Sequence, residues 1–461
     1  MYQISFDNPI NVYFIGIGGI SMSGLAMVLA DRKFNVRGSD RTASDVTASL
    51  EEAGITVHIG EDAANLDKGP KPDLVVYTAA IHPDNPEFVK VKELGIPMLT
   101  RAELLGQIMT HYYLPIAVSG THGKTTTTAM VSKILLENNM DPTISIGGIL
   151  KDIGGNIRIG ASKYFVTEAC EYTNSFLSFF PGVGIILNVD ADHLDFFKDL
   201  DDIRNSFHKF AALIPENGTL VINGEIPNLT ELTSDLKCKI KTYGFSDEFD
   251  YYPSDISYDN FGNASFTINR KNGSSFAVSL MVPGKHNIGN ALAAAATADV
   301  FDIPEKEIAG GLSSFTGTGR RFEYRGTVDG LTIIDDYAHH PTEIAATLSA
   351  AKNYPHKRLW VVFQPHTFTR TKALMDEFAN ALLPADKLII ADIYAAREND
   401  NLGISSRTLK EKIESLGHEC YYFPSFDEIE KFLLQNCTKD DMLITMGAGN
   451  VVNIANDLLG L

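Results

Sequence analysis

Short apolar runs that stop at small or polar residues recur along the chain, and most are followed by a stretch with helical spacing. Asn11 to Ile15 has the makeup of a buried strand; it runs into Gly16-Ile17-Gly18-Gly19 and then into the helical pattern Leu25 to Ala30. Similar strand-like runs are Asn35 to Gly38, Leu74 to Ile81, Ile96 to Thr100, Leu114 to Val118, Tyr164 to Thr167 and Gly184 to Val189. Four more follow: Leu331 to Ile334, Leu359 to Phe363, Lys387 to Ala391 and Met442 to Met446. Strands that alternate with helices in this way predict an α/β protein with mostly parallel sheets. Between Asp250 and Leu280 the pattern changes to short alternating runs, Ala264 to Ile268 and Phe276 to Leu280, which predict an antiparallel hairpin.

At 461 residues the chain exceeds one ordinary core, and the pattern suggests three domains, 1–108, 109–317 and 318–461. Hydrophobic residues make up 44% and charged residues 21%, a globular balance, and no run approaches the length of a membrane span. The start, Met1 to Ser5, lacks the basic and apolar segments of a secretory signal, so a cytoplasmic location is expected. A formal charge of −19 would repel nucleic acid, and an anionic substrate must be held by local cations, metal and backbone N–H groups. Cys170, Cys238, Cys420 and Cys437 have no CxxC spacing; neither a disulfide framework nor a zinc site is expected.

Two glycine-rich turns carry candidate chemistry. The second is Ser119-Gly120-Thr121-His122-Gly123-Lys124-Thr125-Thr126, between an apolar strand and a helix-compatible segment. Such a turn cradles phosphate: backbone N–H groups at the helix start face the anion, Lys124 adds a mobile charge, and the Thr125 hydroxyl can sit on Mg²⁺. The first turn, Gly16 to Gly24, is a βα phosphate turn too, and Asp40 stands where a dinucleotide fold places its ribose-binding carboxylate. Taken alone it reads as NAD binding, but the third glycine of that fingerprint falls on Ser21. Ser39, Asp40, Thr78, Ala79 and Arg101 all fall at C-terminal ends of predicted strands, where open α/β sheets bind ligands.

Only two residues separate the glycines of the second turn, a shortening that resembles the Mur ligase and folylpolyglutamate synthase superfamily. His122 in that turn resembles the alanine-adding branch of the Mur ligases. Further along, Glu168-Ala169-Cys170-Glu171, Asn188 to His193, Pro283 to Asn290, Arg320-Arg321-Phe322-Glu323, Asp335 to Glu343 and Gln364 to Arg370 resemble family segments in the family's order. The resemblance implies a Rossmann-like first domain, a central P-loop ATPase-like domain bearing the hairpin, and a Rossmann-like last domain. It also implies ATP and Mg²⁺, with Mn²⁺ as a substitute, and ligation of L-alanine to the lactyl carboxylate of UDP-N-acetylmuramate through an acyl phosphate. The expected partners are these small molecules, with no nucleic acid and no membrane, in a monomer or homodimer.

By the same resemblance, Gly16, Gly18, Gly19, Ser39, Asp40 and Thr78 would hold the UDP-sugar. Gly120 to Thr126, Asn287, Asn290, Arg321 and Asp336 would hold ATP, and Thr125, Glu171 and His193 would hold metal. Lys124, Glu171, His193 and Arg321 form the expected catalytic set, and Tyr337, His339, His366 and Arg370 would receive the amino acid. Some relatives bridge the metals with a carbamylated lysine; Lys209, which lies nearest the required place, reads as a solvated helix residue. Asp392, Tyr394, Arg397 and the segment Gly447 to Val451 complete the strand-end loops. Three rivals stand beside this reading: a ligase that recycles a murein tripeptide, an NAD-dependent oxidoreductase, and a non-catalytic ATP-binding regulator.

Overall fold

The computed structural model describes residues 2–78, 81–396, 398 and 400–461; Ala79 and Arg397 lie outside them. Among the described residues the strands form three sheets. The first contains β1 (Asn11–Ile15), β2 (Asn35–Asp40), β3 (Thr56–Ile59), β4 (Leu74–Tyr77) and β5 (Met98–Thr100), in the order β3-β2-β1-β4-β5 and parallel throughout. Tyr13 and Phe14 on β1 are fully buried on opposite faces, as a parallel strand with helices on both sides requires. Strand order reverses at β1, so a crevice opens at its C-terminal end, where the first glycine turn lies.

The second sheet comprises β6 (Ile116–Ser119), β7 (Thr143–Leu150), β8 (Gly155–Arg158), β9 (Phe165–Glu168), β10 (Val183–Ile186), β11 (Thr219–Asn223), β12 (Lys239–Tyr243), β13 (Tyr251–Tyr258), β14 (Asn263–Arg270) and β15 (Ser275–Pro283). Their order is β15-β14-β13-β12-β11-β10-β6-β9-β7-β8. The strands from β12 to β7 run parallel, and both edges are antiparallel. The expected hairpin is β14 and β15, but it continues a third strand, β13, whose Pro253 and exposed polar residues hide it in the sequence. The opposite edge pair, β7 and β8, gave no clear periodic signal.

The third sheet holds β16 (Glu323–Val328), β17 (Leu331–Asp336), β18 (Leu359–Phe363), β19 (Lys387–Ile390), β20 (Cys420–Tyr422) and β21 (Met442–Met446), ordered β16-β17-β21-β18-β19-β20. It is mixed, because β16 pairs antiparallel with β17. No helix among the described residues is long and apolar enough to cross a membrane.

Two seams tie the sheets together. The helix Arg101–Met109 meets the segment Tyr172–Ser178 so closely that a Cβ on Gly106 would lie 1.9 Å from the Ser178 carbonyl oxygen. The β7–β8 hairpin touches all three units. Asn156 donates to the Ile20 carbonyl at 2.8 Å, a Cβ on Gly148 would meet the Thr125 methyl at 3.0 Å, and the Gly319 N–H donates to the Ile149 carbonyl at 2.9 Å.

Candidate active site

The phosphate turn follows β6 directly and caps the helix Lys124–Glu137. Gly120 and Gly123 take φ of +138° and +82°, and a Cβ on Gly120 would lie 2.9 Å from that of Leu187; both conformation and space demand glycine there. Asn188 at the end of β10 clamps the turn, accepting from the His122 N–H at 2.7 Å and donating to the His122 carbonyl at 3.0 Å. Lys124 curls over the turn, donating to the carbonyls of Gly120 and Thr121 at 2.5 and 3.0 Å and to Glu171 at 3.0 Å. Burial alone would lower its pKa, yet the Glu171 carboxylate holds the ammonium above its ordinary range.

Glu171, 2% exposed, also faces His193, with Oε1 and Nε2 separated by 3.8 Å. Burial lowers the pKa of His193 against the pull of Asp192 and Glu171, so its imidazole is neutral near pH 7. Two acceptor atoms thus converge at a spacing too long for a hydrogen bond, and such a pair can reach one cation. Another group with cation-ligand spacing is His122, Asp190 and His340. Two of its members are already engaged: His340 Nδ1 accepts from the Thr342 N–H and Nε2 faces the Ala191 carbonyl, while Asp190 accepts from Thr342 Oγ1 and lies 3.4 Å from His122 Nε2. That cluster is a hydrogen-bonded junction between the central and last sheets.

A cavity of about 350 Å³ opens beside the turn. Its walls include His122, Gly123, Thr126, Asn287, Asn290, Arg321 and Asp336, and apolar side chains such as Leu187, Tyr243 and Phe315 line the far end. Asn287 donates to the Pro283 carbonyl at 2.7 Å, Asn290 donates to Asn287 at 2.9 Å, and Thr127 donates to Asn290 at 3.2 Å. The two Asn side chains are thereby locked at the start of the helix Lys285–Ala298. Asp336 is pushed up to about 6 by burial, opposed by Arg321, and it accepts from the N–H groups of Phe322 and Ala338 and from Thr347. The paired arginines divide: Arg320 pairs with Asp335 at 2.9 Å and donates to Gly447 and Gly449, whereas Arg321 faces the cavity.

The residues expected to receive the amino acid form one chain of contacts: the Tyr337 and His339 rings lie 5.3 Å apart, those of His339 and His366 5.7 Å, and His366 meets Arg370. Tyr337 lies beneath the guanidinium groups of Arg320 and Arg321, and His339 is 3.2 Å from Glu343. His366 and Arg370 line a second, smaller cavity of about 80 Å³ with Asp192, His193, Leu194 and Leu374. Arg370 donates to Asp192 Oδ1 through Nε at 3.1 Å and Nη2 at 2.8 Å, and through Nη1 to Nδ1 of His366 at 3.1 Å. That pair crosses between the central and last sheets and keeps Asp192 ionised well below the usual carboxylate range, despite burial.

Gly16, Gly18, Gly19, Ser39, Asp40 and Thr78 line one cavity of about 400 Å³ on the first sheet. The Asp40 carboxylate accepts the Gly18 N–H at 2.8 Å, and Ser39 donates to the buried Glu87, which Tyr13 and Asn65 also reach. Lys209 is exposed, as expected. Glu343, which ends the family-like segment Asp335 to Glu343, carried no expected role. In the structure it joins His122 at 3.2 Å, His339 at 3.2 Å and Arg321 at 3.8 Å. An acid directly after two His and a Pro, in the loop that also carries Asp336, was the available signal.

Comparison with known proteins covers all three sheets. Residues 11–113 match the model for the Mur ligase family catalytic domain, 118–298 that for the Mur ligase middle domain, and 320–449 that for the Mur ligase glutamate ligase domain. Proteins named UDP-N-acetylmuramate--L-alanine ligase from Agathobacter rectalis and Lachnospira eligens are each 57% identical, with 100% of both chains covered. Among solved structures, UDP-N-acetylmuramate-alanine ligase of Thermotoga maritima superposes with a TM-score of 0.82 at 29% identity, covering 98% of both chains. A murein peptide ligase of Psychrobacter arcticus reaches 0.74 at 26% identity over 98% of both. With all three sheets matched and such identity running from end to end, the chain belongs to the Mur ligase family.

Proposed function

We infer that this protein adds L-alanine to UDP-N-acetylmuramate in an ATP-driven ligation, in the cytoplasm, during peptidoglycan precursor synthesis. One observation carries the reading: a phosphate turn whose Lys124 meets Glu171, which in turn faces His193, opens on a nucleotide-sized cavity closed by the last sheet. The 57% relatives bear the alanine-ligase name over their full length, and among solved structures the alanine ligase superposes at a TM-score of 0.82 against 0.74 for the murein peptide ligase, which favours alanine over a tripeptide. An NAD-dependent oxidoreductase would leave the phosphate turn without a task. Functional boundaries are assigned near 108/109 and 317/318.

In the proposed reaction the lactyl carboxylate oxygen attacks the γ-phosphorus of ATP, ADP leaves, and an acyl phosphate forms. The alanine amine then attacks the acyl carbon; phosphate departs and a proton is lost from nitrogen. The backbone of Gly120 to Thr126, with Lys124 and Arg321, neutralises phosphate charge, which is most of what a loose phosphoryl transition state requires. Asn287, Asn290 and Asp336 hold the base and ribose, the first glycine turn with Ser39, Asp40 and Thr78 holds the UDP moiety, and Tyr337, His339, His366 and Arg370 border the amine's approach. Thr125, Glu171 and His193 would hold Mg²⁺, or Mn²⁺ in its place, which supplies further charge neutralisation at the phosphates. Closure of the last domain brings the carboxylate and amine into line. The test is phosphate release from ATP that requires both UDP-N-acetylmuramate and L-alanine, with the product detected by mass; release with the tripeptide but not with alanine would reverse the assignment.

A further inference from the structure

At the root of the last sheet two residues stand in backbone conformations that side chains rarely adopt. Arg320 has φ of +60° and Phe322 of +46°, and between them lies Arg321, which lines the nucleotide-sized cavity. Left-handed φ at a residue other than glycine is costly, and it persists only where the surroundings impose it.

Arg320 supplies much of that constraint. Its Nε donates to Asp335 at 2.9 Å, its Nη2 to the Gly447 carbonyl at 2.8 Å and its Nη1 to the Gly449 carbonyl at 3.1 Å. These acceptors lie at or just past the C-terminal ends of β17 and β21, which pair in parallel, so the guanidinium straddles two adjacent strands. Asp335 is fully buried and takes a further bond from Thr445 at 2.7 Å, which fixes its carboxylate. The backbone of Arg320 is held as well: its N–H donates to Glu323 at 2.9 Å, and its carbonyl accepts from the Tyr337 N–H at 2.7 Å. On the far side the Phe322 N–H donates to Asp336 at 3.0 Å. Arg321's own side chain is held far more loosely, 3.8 Å from Glu343 and 5.3 Å from the centre of the Tyr337 ring. Its direction is therefore set mainly by the chain on either side of it.

We propose that Arg320 is a positioning residue for the nucleotide site: its three-way clamp imposes the left-handed backbone that turns Arg321 toward the phosphates of ATP. A guanidinium suits this task because its donors leave in a fixed planar fork, whereas a lysine ammonium could take Asp335 but not both carbonyls with it. Without the clamp, residues 320–322 relax to ordinary φ and Arg321 leaves the cavity wall. The assignment rests on the ligase reading above.

The test is a double-mutant cycle on the full chain, comparing wild type, Arg320→Met, Arg321→Ala and the double variant. Each is read as kcat/KM for ATP in phosphate release and as ATP affinity by calorimetry. Arg320→Met should lower both by about tenfold or more where Arg321 is present, and by less than about twofold beside Arg321→Ala, because a residue that acts only through another has nothing further to lose. Affinity for UDP-N-acetylmuramate should stay the same in all four. Arg320→Lys keeps a cation on Asp335, so it should melt as the wild type does and still lose about threefold or more, again only where Arg321 is present. That variant decides the matter if Arg320→Met does not fold. Equal losses in both backgrounds, or no loss in either, overturn the proposal. Failure of the ligase reading is separate: the wild type would then release no phosphate from ATP with UDP-N-acetylmuramate and L-alanine, while the calorimetric cycle on ATP would still report on Arg320.

Discussion

Glu343 Oε1 lies 3.2 Å from Nδ1 of His122, so a carboxylate carried by the last sheet grips an imidazole that belongs to the phosphate turn of the central one. Asp190, 3.4 Å from Nε2, flanks the ring on its other edge. Burial opposes the imidazolium, but the two acids prevail and lift His122 to about 9.

The sign of the resulting pH dependence follows from that raised value. A histidine raised above its ordinary 6.5 contributes stability that is full below that value and is lost as pH rises through about 9. The closed arrangement of the central and last domains should therefore loosen between about pH 7 and 9. Glu343→Gln should weaken it by about 3 kcal/mol near neutrality. Small-angle scattering across pH, on both proteins, checks this; an unchanged radius of gyration contradicts it.

Lys124→Ala should reduce ATP-dependent ligation by about a thousandfold or more, because an ammonium at the transferring phosphate has no substitute in the turn. UDP-sugar affinity should hold, since the first cavity is built by a different sheet. Phosphate release and calorimetry read the two effects independently.

Gly120→Ala forces a Cβ to within 2.9 Å of Leu187 at φ +138°. The expected cost is about 2 to 3 kcal/mol of stability, together with a disturbed anion cradle. A lowered melting temperature with ATP failing to raise it is the predicted outcome, and a wild-type melting curve would refute it.

Removing divalent metal with a chelator should stop phosphate release, and Mg²⁺ or Mn²⁺ should restore it. Glu171→Gln and His193→Ala should each raise the metal concentration needed for half-maximal rate by about tenfold or more. His340→Ala should leave that concentration unchanged, because both of its ring nitrogens are already engaged.

Much of this architecture was legible in the chain because parallel strands buried on both faces leave continuous apolar runs, as at Leu359 to Phe363 and Met442 to Met446. Some edge strands were not, since β8 and β16 are half-exposed and carry no strong period, whereas the edge strands β5 and β15 could be read. Motif residues were legible where chemistry restricts the residue type, as at Gly120, Lys124 and Asn290. The partnership of Arg370 with Asp192 and of Glu343 with His122 was hidden, because each joins residues more than 170 positions apart in different domains.

The β7–β8 hairpin has a mechanical meaning. Its two strands bear at once on the helix behind the first glycine turn, on Thr125 in the phosphate turn, and on Gly319 at the root of the last domain. One slender arm therefore fixes at once the spacing of the first glycine turn, the phosphate turn and the root of the last domain. Lengthening it by a residue would spoil no single binding contact, yet would put the two halves of the reaction out of reach of each other.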